Sequence, residues 1–349
     1  MDINILEKEQ VEQNVSDKKT LFIVWYGFSR RAETLASEVN GRVVFQYETG
    51  LTGGWRTPWR YLMQAWKTWK LLQREQPDLV MVQSPPIIAP LAVVLWCKLW
   101  SRSKTTGKRV PYILDCHPGT FHDPSWRWAL FILRFLARGA VVTLLCNEGG
   151  QAVVERWKVR NIFLPDGLPS FDPAATDIVG TEGKQRVAAI CTFASVEPML
   201  ETFEAARLLP AVTFYVTGDI KRASASLLAQ KPDNVVLTGF LRGKTYVGLL
   251  KNVDGIAILT KQSHDLSCGA YEALALAQPA VISDWPGSRR CFKRGFVYVD
   301  NTPQAIAEGV QKMLDEQDYL IEEAREMRIE YEEMRLPRLQ KLQELMRIS

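Results

Sequence analysis

Residues 254–287 carry the side chains best suited to chemistry in this chain. An apolar strand leads into a polar loop that contains Lys261, His264 and Gly269, and the Ala/Leu-rich helix that follows has one acid, Glu272. We predict that Glu272 lies in the first turn of that helix. A loop and helix N-terminus at the carboxyl edge of a parallel sheet bind anionic ligands, so the stretch predicts such a site.

Asp115 and His117 form a second candidate pair, in the first half of the chain. They follow an apolar strand, so His117 is expected at the carboxyl edge of a sheet. The chain has three histidines, and one at such an edge is a candidate polar contact or proton carrier. The alternative is that His117 caps its loop by hydrogen bonding, and for His122 that alternative is favoured.

A loop after the first strand contains Gly27, Ser29, Arg30 and Arg31. Its backbone amides and guanidinium groups are able to bind an acceptor or a phosphate group. The alternative is that the arginines are solvated at the start of a helix.

Two later strands end in glycine turns. Thr217 and Gly218 end one strand, and Gly239 and Phe240 end the next. Glycine lets a ligand approach the backbone closely, although either turn alone is a weak signal. Their order before residues 254–287 makes them candidate binding positions.

Several signatures are missing from the sequence. It has no GxxxxGK[ST], no GxGxxG after a strand, no HExxH and no DxD. P-loop nucleotide hydrolysis and zinc-protease chemistry are therefore disfavoured, and we expect a mechanism with no metal and no cofactor.

The length of 349 residues and the 47% hydrophobic content describe a packed protein of more than one domain. The six cysteines show no CxxC pair, which suits a reducing compartment better than a disulfide or zinc framework. Residues 1–18 are acidic and polar, and we predict a disordered tail there and no secretory leader.

Short apolar strands alternate with helices throughout the rest of the chain, which predicts two α/β domains with parallel, doubly wound sheets. A Pro/Gly/Asp-rich segment, 166–185, separates them as a linker. The predicted domains are 19–165 and 186–316, and they face a central cleft. A charged helix follows in 317–349, interrupted only at Pro337. We predict the following strands: 21–26, 42–47, 78–83, 110–115, 140–146, 161–164, 186–193, 212–217, 234–237, 255–260, 280–283 and 296–299.

The two halves differ in charge and aromatic content. Residues 20–165 carry 19 Lys/Arg and 9 Asp/Glu, whereas residues 166–349 carry 21 and 25. In 55–72, the residues Trp59, Leu62, Trp66 and Trp69 share one helical stripe flanked by Arg60, Lys67 and Lys70. Residues 126–138 likewise combine aromatic and aliphatic side chains with arginines. Such helices suit an anionic bilayer surface, while the alternative is that the tryptophans pack on the sheet.

The chain resembles the GT-B-fold glycosyltransferases of the family-4 type over about residues 20–316. The most specific segments are 212–218, 234–240 and 264–284, the last having the shape of that family's acid-x7-acid motif. VQSPP at 82–86, Asp115-x-His117 and SDWP at 283–286 are closest to bacterial envelope and exopolysaccharide transferases.

The resemblance implies a GT-B fold of two Rossmann-like domains, an acceptor-binding first domain and a nucleotide-sugar-binding second domain. The last helix is then expected to cross back toward the first domain. Glu272 corresponds to the acid that binds the donor's ribose hydroxyls. The loop and helix start before it receive the diphosphate and sugar, and there we place the donor-binding residues Lys261, His264, Cys268, Gly269 and Ala270. The retaining outcome usual for the family is implied as well.

The sequence departs from the family pattern at two places. The first acid of the motif is replaced by His264, which is able to hydrogen bond sugar hydroxyls or, when protonated, to offset phosphate charge. The segment 192–198 lacks the cation pair that often holds the diphosphate. Lys261, Arg242, Lys221, Arg222 and the Arg289–Arg290 pair are the cations that remain available.

We therefore predict a metal-independent glycosyltransferase that uses a nucleotide-sugar donor and a lipid-linked or glycan acceptor in envelope or exopolysaccharide synthesis. The catalytic candidates are His117, His264 and Asp115. We expect a cytoplasmic protein, peripheral on the inner face of the plasma membrane, with no nucleic-acid partner. Two alternatives stay open: a nucleotide-sugar epimerase of the same fold, and a non-catalytic GT-B scaffold.

Overall fold

The computed structural model describes residues 18–48, 56–103, 107–171, 185–263 and 266–349. Three predictions fall largely or wholly on other residues. These are the disordered tail in 1–18, most of the linker in 166–185, and the role of His264.

The described chain forms two compact units. The first comprises the described residues up to Gly167 together with Met334–Ser349, and the second comprises the described residues from Leu168 to Glu333. Each unit is built on one six-stranded parallel sheet, so the predicted α/β fold with two parallel sheets is confirmed.

The first unit contains strands β1 (Thr20–Val24), β2 (Arg42–Phe45), β3 (Leu79–Ser84), β4 (Tyr112–Cys116), β5 (Thr143–Leu145) and β6 (Asn161–Phe163). They pair in the order β2-β1-β3-β4-β5-β6. Strands β1, β3 and β4 are buried along their whole length. This explains their nearly continuous apolar sequences, because strands covered on both faces do not alternate between apolar and polar residues.

Helices cover both faces of this sheet. They are α1 (Arg30–Glu38), α2 (Arg56–Glu75), α3 (Ile88–Leu99), α4 (Pro118–His122), α5 (Leu130–Ala137) and α6 (Glu148–Glu155), with a 3-10 turn over Pro124–Ala129. Leu21 and Ile23 share a core with α2, α3 and α5, whereas Phe22 and Val24 pack with α1. The sheet edge formed by the strand ends therefore lies between two helical layers.

The second unit contains β7 (Gln185–Ala189), β8 (Val212–Thr217), β9 (Val235–Gly239), β10 (Gly255–Ile258), β11 (Ala280–Ser283) and β12 (Phe296–Val299). Their order is β12-β11-β10-β7-β8-β9. The helices are α7 (Met199–Leu208), α8 (Ala225–Leu228), α9 (Gly243–Asn252), α10 (Cys268–Leu276), α11 (Pro286–Cys291) and α12 (Pro303–Asp315). Helices α7 and α12 pack on one face, and α9 and α10 pack on the other.

The last helix, α13 (Gln317–Ile348), runs through Pro337 without a break, so the predicted interruption is wrong. Pro337 has no N–H to donate to the carbonyl of Glu333, which normally weakens a helix. Packing on both sides compensates, since Tyr331 lies in a core of the second unit and Leu339 and Leu342 lie in a core of the first.

Candidate active site

Three strand ends of the second unit meet at one edge. The main-chain N–H of Cys191, just beyond β7, donates to Thr217 Oγ1 over 3.2 Å. The N–H of Gly218 donates to the carbonyl of Gly239 over 3.1 Å. The predicted glycine turns after β8 and β9 therefore lie side by side, next to the residue that follows β7.

Gly218 requires a glycine for two reasons. Its φ is +111°, and a Cβ there would lie 2.6 Å from the carbonyl oxygen of Cys191. Next to this bare backbone, Phe240 is exposed, and the guanidinium carbon of Arg242 lies 4.8 Å from its ring centroid. A ligand at this edge would therefore meet backbone groups, the Phe240 ring and the Arg242 cation.

The start of helix α10 approaches the same edge. A Cβ on Gly269 would lie 3.1 Å from side-chain atoms of Ile190 and of Ile258, which follows from the close packing of the helix on the ends of β7 and β10. Ala270 is buried, and Cys268 is exposed at the first helical position. The side chain of Ser267 accepts no capping bond, whereas its carbonyl oxygen accepts from the N–H of Ala270 over 3.0 Å.

Glu272 is buried in the second turn of α10, with 5% of its surface exposed. The predicted place in the first turn is wrong because the helix begins at Cys268, two residues earlier than its Ala/Leu-rich part. The hydroxyl group of Tyr246, on α9, donates to Glu272 Oε2 over 2.5 Å. A buried carboxylate held by a hydroxyl group has a fixed direction in which it is able to accept further hydrogen bonds.

The segment 192–198, which lacks the expected cation pair, is held by hydrogen bonds to the carboxylate of Glu197. The Glu197 carboxylate accepts from the N–H and hydroxyl of Thr192 (2.9 and 3.0 Å) and from the N–H of Ala194 (3.0 Å). The residue between them, Phe193, has a φ of +56°. Successive N–H groups around a residue with positive φ form an anion-binding concavity, and here a side chain of the same loop occupies it.

Two of the candidate cations, Lys261 and Arg289, are paired with acids. Lys261 Nζ lies 2.8 Å from Glu201 Oε1, and the main-chain N–H of Lys261 donates to Val196 O over 2.7 Å. Arg289 binds Asp284 through two hydrogen bonds (2.5 and 2.6 Å), which lower the pKa of that carboxyl below its usual value. Both side chains are about half-exposed, and each already has an acidic partner.

Asp115 and His117 lie in contact in the first unit. Asp115 is the penultimate residue of strand β4 and is fully buried. His117 Nε2 lies 3.1 Å from Asp115 Oδ2, and 23% of the imidazole side chain is exposed. The His117 side chain makes no capping bond to α4, and its hydrogen bond to Asp115 joins the loop to the end of strand β4. His122 Nε2, in the same loop, lies 3.5 Å from Asn147 Nδ2.

Arg31 binds the other side of Asp115. Its Nε and Nη2 donate to Asp115 Oδ1 over 3.0 and 2.8 Å, and its Nη1 donates to Asp166 Oδ1 over 2.8 Å and to the carbonyl of Leu164 over 2.9 Å. Burial by itself raises the pKa of Asp115, but Arg31 and His117 outweigh it and hold that pKa well below its usual value. Asp115 is therefore ionised, and Arg31 serves this pair and not a ligand.

The loop before α1 has mixed roles. Ser29 caps α1 by accepting from the N–H of Ala32 over 3.3 Å. Arg30 pairs with Glu33 over 3.2 Å. A Cβ on Gly27 would meet only the Tyr47 ring, at 3.8 Å, so the backbone there is accessible.

Gln83 adds a polar group beside Asp115, with which it is in register in the sheet. Gln83 is buried, and among the described residues its Oε1 has no hydrogen-bond partner. Buried polar atoms are normally satisfied, so this oxygen indicates a donor that arrives with a ligand or a water molecule.

Sequence reasoning missed four contributors to these sites. Tyr246, Glu197 and Asp166 act as partners of other side chains, and Gln83 is placed by sheet register. Of these four, only Glu197 was identifiable from the sequence, because it is an acid in the segment where the family pattern has cations.

Large apolar side chains are exposed on one helical layer of the first unit. Trp59, at 61% exposed, Leu62 and Trp66 lie on α2, so the alternative that this stripe packs on the sheet is wrong for these three. Trp69 is half-buried, with its ring centroid 4.1 Å from that of Trp100. We call the following exposed residues the aromatic face: Trp59, Leu62, Trp66, Leu95, Leu99, Trp100, Trp128, Phe131 and Phe135.

The aromatic face is strongly basic. Lys70 Nζ lies 3.7 Å from the Trp66 ring centroid, and Lys98 Nζ lies 5.0 Å from that of Phe135. Arg127, Arg134 and Arg138 are exposed nearby. Helices α3 and α5 contain no acidic residue, and α2 contains only Glu75, at its end.

Two features are absent from the described part of the chain. No helix there combines the length and apolar character needed to cross a bilayer. No group of three or more His, Cys, Asp or Glu side chains in those ranges is arranged to hold a metal ion.

Two family models match the sequence. The Glycosyl transferase 4-like domain matches residues 26–164, and the Glycosyl transferases group 1 model matches residues 196–334. A search of curated proteins found no match.

Solved structures resemble the chain over nearly its whole length. Sucrose-phosphate synthase from Thermosynechococcus elongatus has 11% identity and a TM-score of 0.68, covering 95% of this chain and 100% of that one. Anabaena HepE in complex with UDP-glucose has 14% identity and a TM-score of 0.67, with coverage of 95% and 100%. A glycosyltransferase from Rickettsia africae has 15% identity and a TM-score of 0.60, with coverage of 96% and 100%. At such identities the likeness establishes the fold.

Proposed function

The chain belongs to the GT-B glycosyltransferases of the family-4 type, and we propose that it moves a sugar from a nucleotide-sugar to a lipid-linked or glycan acceptor. We further propose that it does so without a metal, at the inner face of the plasma membrane, in envelope or exopolysaccharide synthesis. The first unit binds the acceptor in this proposal, and the second binds the donor.

The observation that carries the donor assignment is the arrangement around Glu272. Its carboxylate is buried and directed by Tyr246, on a helix whose N-terminus packs on the strand ends through Gly269. A carboxylate accepts hydrogen bonds from neighbouring ribose hydroxyls, and the positive end of a helix dipole favours phosphate near a helix start. The Anabaena HepE structure contains UDP-glucose, which supports a nucleotide-sugar donor for this fold.

The diphosphate is then held by backbone N–H groups of α10 and by cations of the same unit. Developing charge on the departing diphosphate dominates the barrier to glycosyl transfer, so preorganised donors are the main catalytic requirement. Arg242, next to the Gly239 turn, is better placed than Arg289, which is committed to Asp284. The lack of a DxD motif supports the metal-independent form of the proposal.

The aromatic face supports the membrane part of the proposal. Tryptophan and phenylalanine side chains enter the interfacial region of a bilayer, and lysine and arginine bind anionic headgroups around them. The charge of the face therefore favours an anionic lipid surface over a second acidic or neutral protein. Vesicles of phosphatidylglycerol and phosphatidylcholine test this, and a failure to bind them at low salt refutes it.

A ligand screen tests the donor assignment. We expect one class among UDP-, GDP-, ADP- and dTDP-sugars to raise the unfolding midpoint, because a ligand of the folded state stabilises it. Calorimetry with the matching nucleoside diphosphate then compares the wild type with Glu272→Gln, and the loss of a charged hydrogen-bond acceptor is expected to weaken binding about tenfold or more. Glu308→Gln, at an exposed position of α12 in the same unit, is the control. Equal affinity in wild type and Glu272→Gln removes Glu272 from the site, and no binding of any nucleotide favours the scaffold alternative.

A further inference from the structure

We propose that Arg60 and three tyrosines around it bind the phosphate group that joins lipid and sugar in the acceptor. This phosphate site consists of Tyr26, Tyr47, Arg60 and Tyr61, all of which lie in the first unit. It rests on the proposed glycosyl transfer, and it narrows the acceptor to a lipid phosphate instead of a free glycan.

Helix α2 has polar side chains on its inner side and large apolar side chains on its outer side. Gln64 and Thr68 are each 1% exposed, whereas Trp59, Leu62 and Trp66 are more than half exposed. An amphipathic helix of a globular domain normally buries its apolar stripe. The reversed pattern indicates that the inner side of α2 serves a polar site and that its outer side meets an apolar environment.

Hydrogen bonds fix the inner side of α2 on the carboxyl ends of β1 and β2. Trp25 Nε1, just beyond β1, donates to Thr68 Oγ1 over 2.9 Å, and the Thr68 hydroxyl group donates to Gln46 Oε1. Gln64 Nε2 donates to the carbonyl oxygen of Gln46, just beyond β2, over 2.7 Å. Arg60 is four residues before Gln64, about one helical turn, so it is held at the same sheet edge.

Arg60 has tyrosines around it and no acidic partner among the described residues. Its guanidinium carbon lies 5.0 Å from the ring centroid of Tyr61 and 5.8 Å from that of Tyr47, and its Nη2 donates to the Tyr61 hydroxyl group over 3.3 Å. Its Nε is buried, and no described atom accepts from it. The acid that follows β2, Glu48, is paired with Lys67. Aromatic rings attract a cation without replacing an ion pair at its N–H groups, so Arg60 keeps donors for an anion.

Tyr26 adds a further hydroxyl donor beside Arg60. Its pKa is raised, first by desolvation of the hydroxyl group and then by Tyr61, Asp123 and Tyr47, whereas Arg60 lowers it. The hydroxyl group of Tyr26 therefore keeps its proton at neutral pH. Asp123 is the acid among these neighbours, and its Oδ1 accepts a main-chain N–H of its own turn over 2.8 Å. Tyr26 and Tyr47 are 44% and 40% exposed, so a ligand is able to reach the site.

The donors of this site match a phosphate group. A guanidinium group binds phosphate through two parallel hydrogen bonds, and tyrosine hydroxyl groups are able to donate to the remaining oxygens. The outer side of the same helix turn identifies the source of that phosphate, because Trp59 and Leu62 belong to the aromatic face. An α-helix with its side chains is about 10–12 Å wide, so a phosphate at the surface of a bilayer that holds Trp59 is about one helix width from Arg60. A free glycan would gain nothing from this placement.

Calorimetry with geranyl phosphate tests the site on the full chain, with geraniol and inorganic phosphate as comparison probes. We expect geranyl phosphate to bind the wild type and Arg60→Gln to weaken that binding about tenfold or more, because charged hydrogen bonds are lost. Tyr47→Phe should weaken it several-fold. Arg74→Gln, at the exposed end of the same helix, is the matched control. Equal affinity of the wild type and Arg60→Gln overturns the inference. So does binding of geraniol, or of inorganic phosphate, as tight as that of geranyl phosphate.

A charge-conserving variant separates the phosphate site from the basic surface of the aromatic face. Arg60→Lys keeps the charge and most of the packing, so its binding to phosphatidylglycerol vesicles should equal that of the wild type. Its binding to geranyl phosphate should still fall several-fold, since lysine lacks the planar fork of donors. Parallel changes in the two kinds of binding overturn the inference, because they make Arg60 one more surface cation.

Competition connects the phosphate site with transfer. Geranyl phosphate is expected to inhibit sugar transfer to octyl glycosides in the wild type and to inhibit it much less in Arg60→Gln. Transfer that geranyl phosphate leaves unchanged overturns the inference and leaves the transferase function standing. The absence of nucleotide binding refutes the proposed function, whereas the calorimetry with geranyl phosphate still decides whether the phosphate site exists.

Discussion

Tyr246 donates a 2.5 Å hydrogen bond to the carboxylate of Glu272, and these two residues come from neighbouring helices of the second unit. The contact joins α9, which follows the Gly239 turn, to α10, which begins at the strand edge. It therefore connects the side chain assigned to the ribose with the loop that carries Phe240 and Arg242. In the proposed donor site, this hydroxyl group helps to fix the direction in which Glu272 accepts hydrogen bonds from the ribose.

Tyr246→Phe tests that dependence. Removing the hydroxyl group leaves Glu272 less well directed, and one hydrogen bond contributes about 1 kcal/mol, so nucleoside diphosphate affinity is expected to fall about fivefold. Calorimetry measures the change, and Tyr319→Phe, at an exposed tyrosine of the same unit, is the control. An unchanged affinity in Tyr246→Phe contradicts a positioning role.

Arg31→Met is expected to destabilise the protein strongly. It leaves the Asp115 carboxylate buried without its main counter-charge, and breaking a buried ion pair on one side costs about 3–5 kcal/mol. Urea unfolding followed by circular dichroism measures the loss. Arg30→Met is the matched control, because the ion pair of Arg30 with Glu33 is partly exposed and is expected to contribute less than about 1 kcal/mol. Similar losses of unfolding free energy in the two variants would contradict a larger contribution from the buried Arg31–Asp115 pair than from the partly exposed Arg30–Glu33 pair.

The sequence predicted the strands and the strand-end residues because both depend on local patterns. Apolar runs identify buried parallel strands. A polar residue that directly follows such a run lies at the sheet edge, whichever residues of the rest of the chain are next to it. Asp115, His117, Gly218 and Gly239 were located in this way. Glu272 was placed one turn too early, since the helix start is set by local backbone geometry near Ser267.

The partners of these residues were not predictable by the same reasoning. Arg31 and Asp115 are 84 positions apart, and Tyr246 and Glu272 are 26 apart. Nothing local to either member of such a pair encodes the contact. Arg31 therefore resembled its neighbour Arg30 in the sequence, although the first is buried in an ion pair and the second is half-exposed.

The lowered pKa of Asp115 predicts how the free energy of unfolding changes with acid. Its folded-state pKa is lowered, so its contribution to stability is complete above its unfolded pKa of about 4 and is lost as the pH falls below that value toward the folded pKa. We expect the free energy of unfolding of the wild type to decrease below about pH 4, and that part of the decrease to be absent in Asp115→Asn. Urea titrations at several pH values measure it. A parallel pH dependence in the two proteins contradicts the assignment of the shift to Asp115.

The exposed Cys268 thiol offers a chemical test of the proposed donor site. It is exposed at the first position of α10, whereas burial raises the pKa of both Cys97 and Cys191 to about 12. Iodoacetamide at pH 8 is therefore expected to modify Cys268 before those two, because the thiolate is the reacting form. A saturating nucleoside diphosphate should slow that modification several-fold, as measured by mass spectrometry of the peptides. Cys268→Ser identifies the peptide, and labelling that the nucleotide leaves unchanged contradicts a diphosphate at this helix start.

The aromatic face predicts which substitutions weaken binding to vesicles. Trp66 and Phe131, the latter 70% exposed, lie on different helices of that face. Inserting one large apolar side chain into the interfacial region contributes about 1.5 kcal/mol, so Trp66→Ser and Phe131→Ser are each expected to weaken binding to phosphatidylglycerol vesicles about tenfold. Ile329→Ser is the control, at an exposed apolar residue of the second unit. Raising the salt from 0.05 to about 0.5 M screens the surrounding lysines and arginines and should weaken binding further. Equal effects of all three substitutions, or binding that ignores salt, would exclude the aromatic face as the membrane contact.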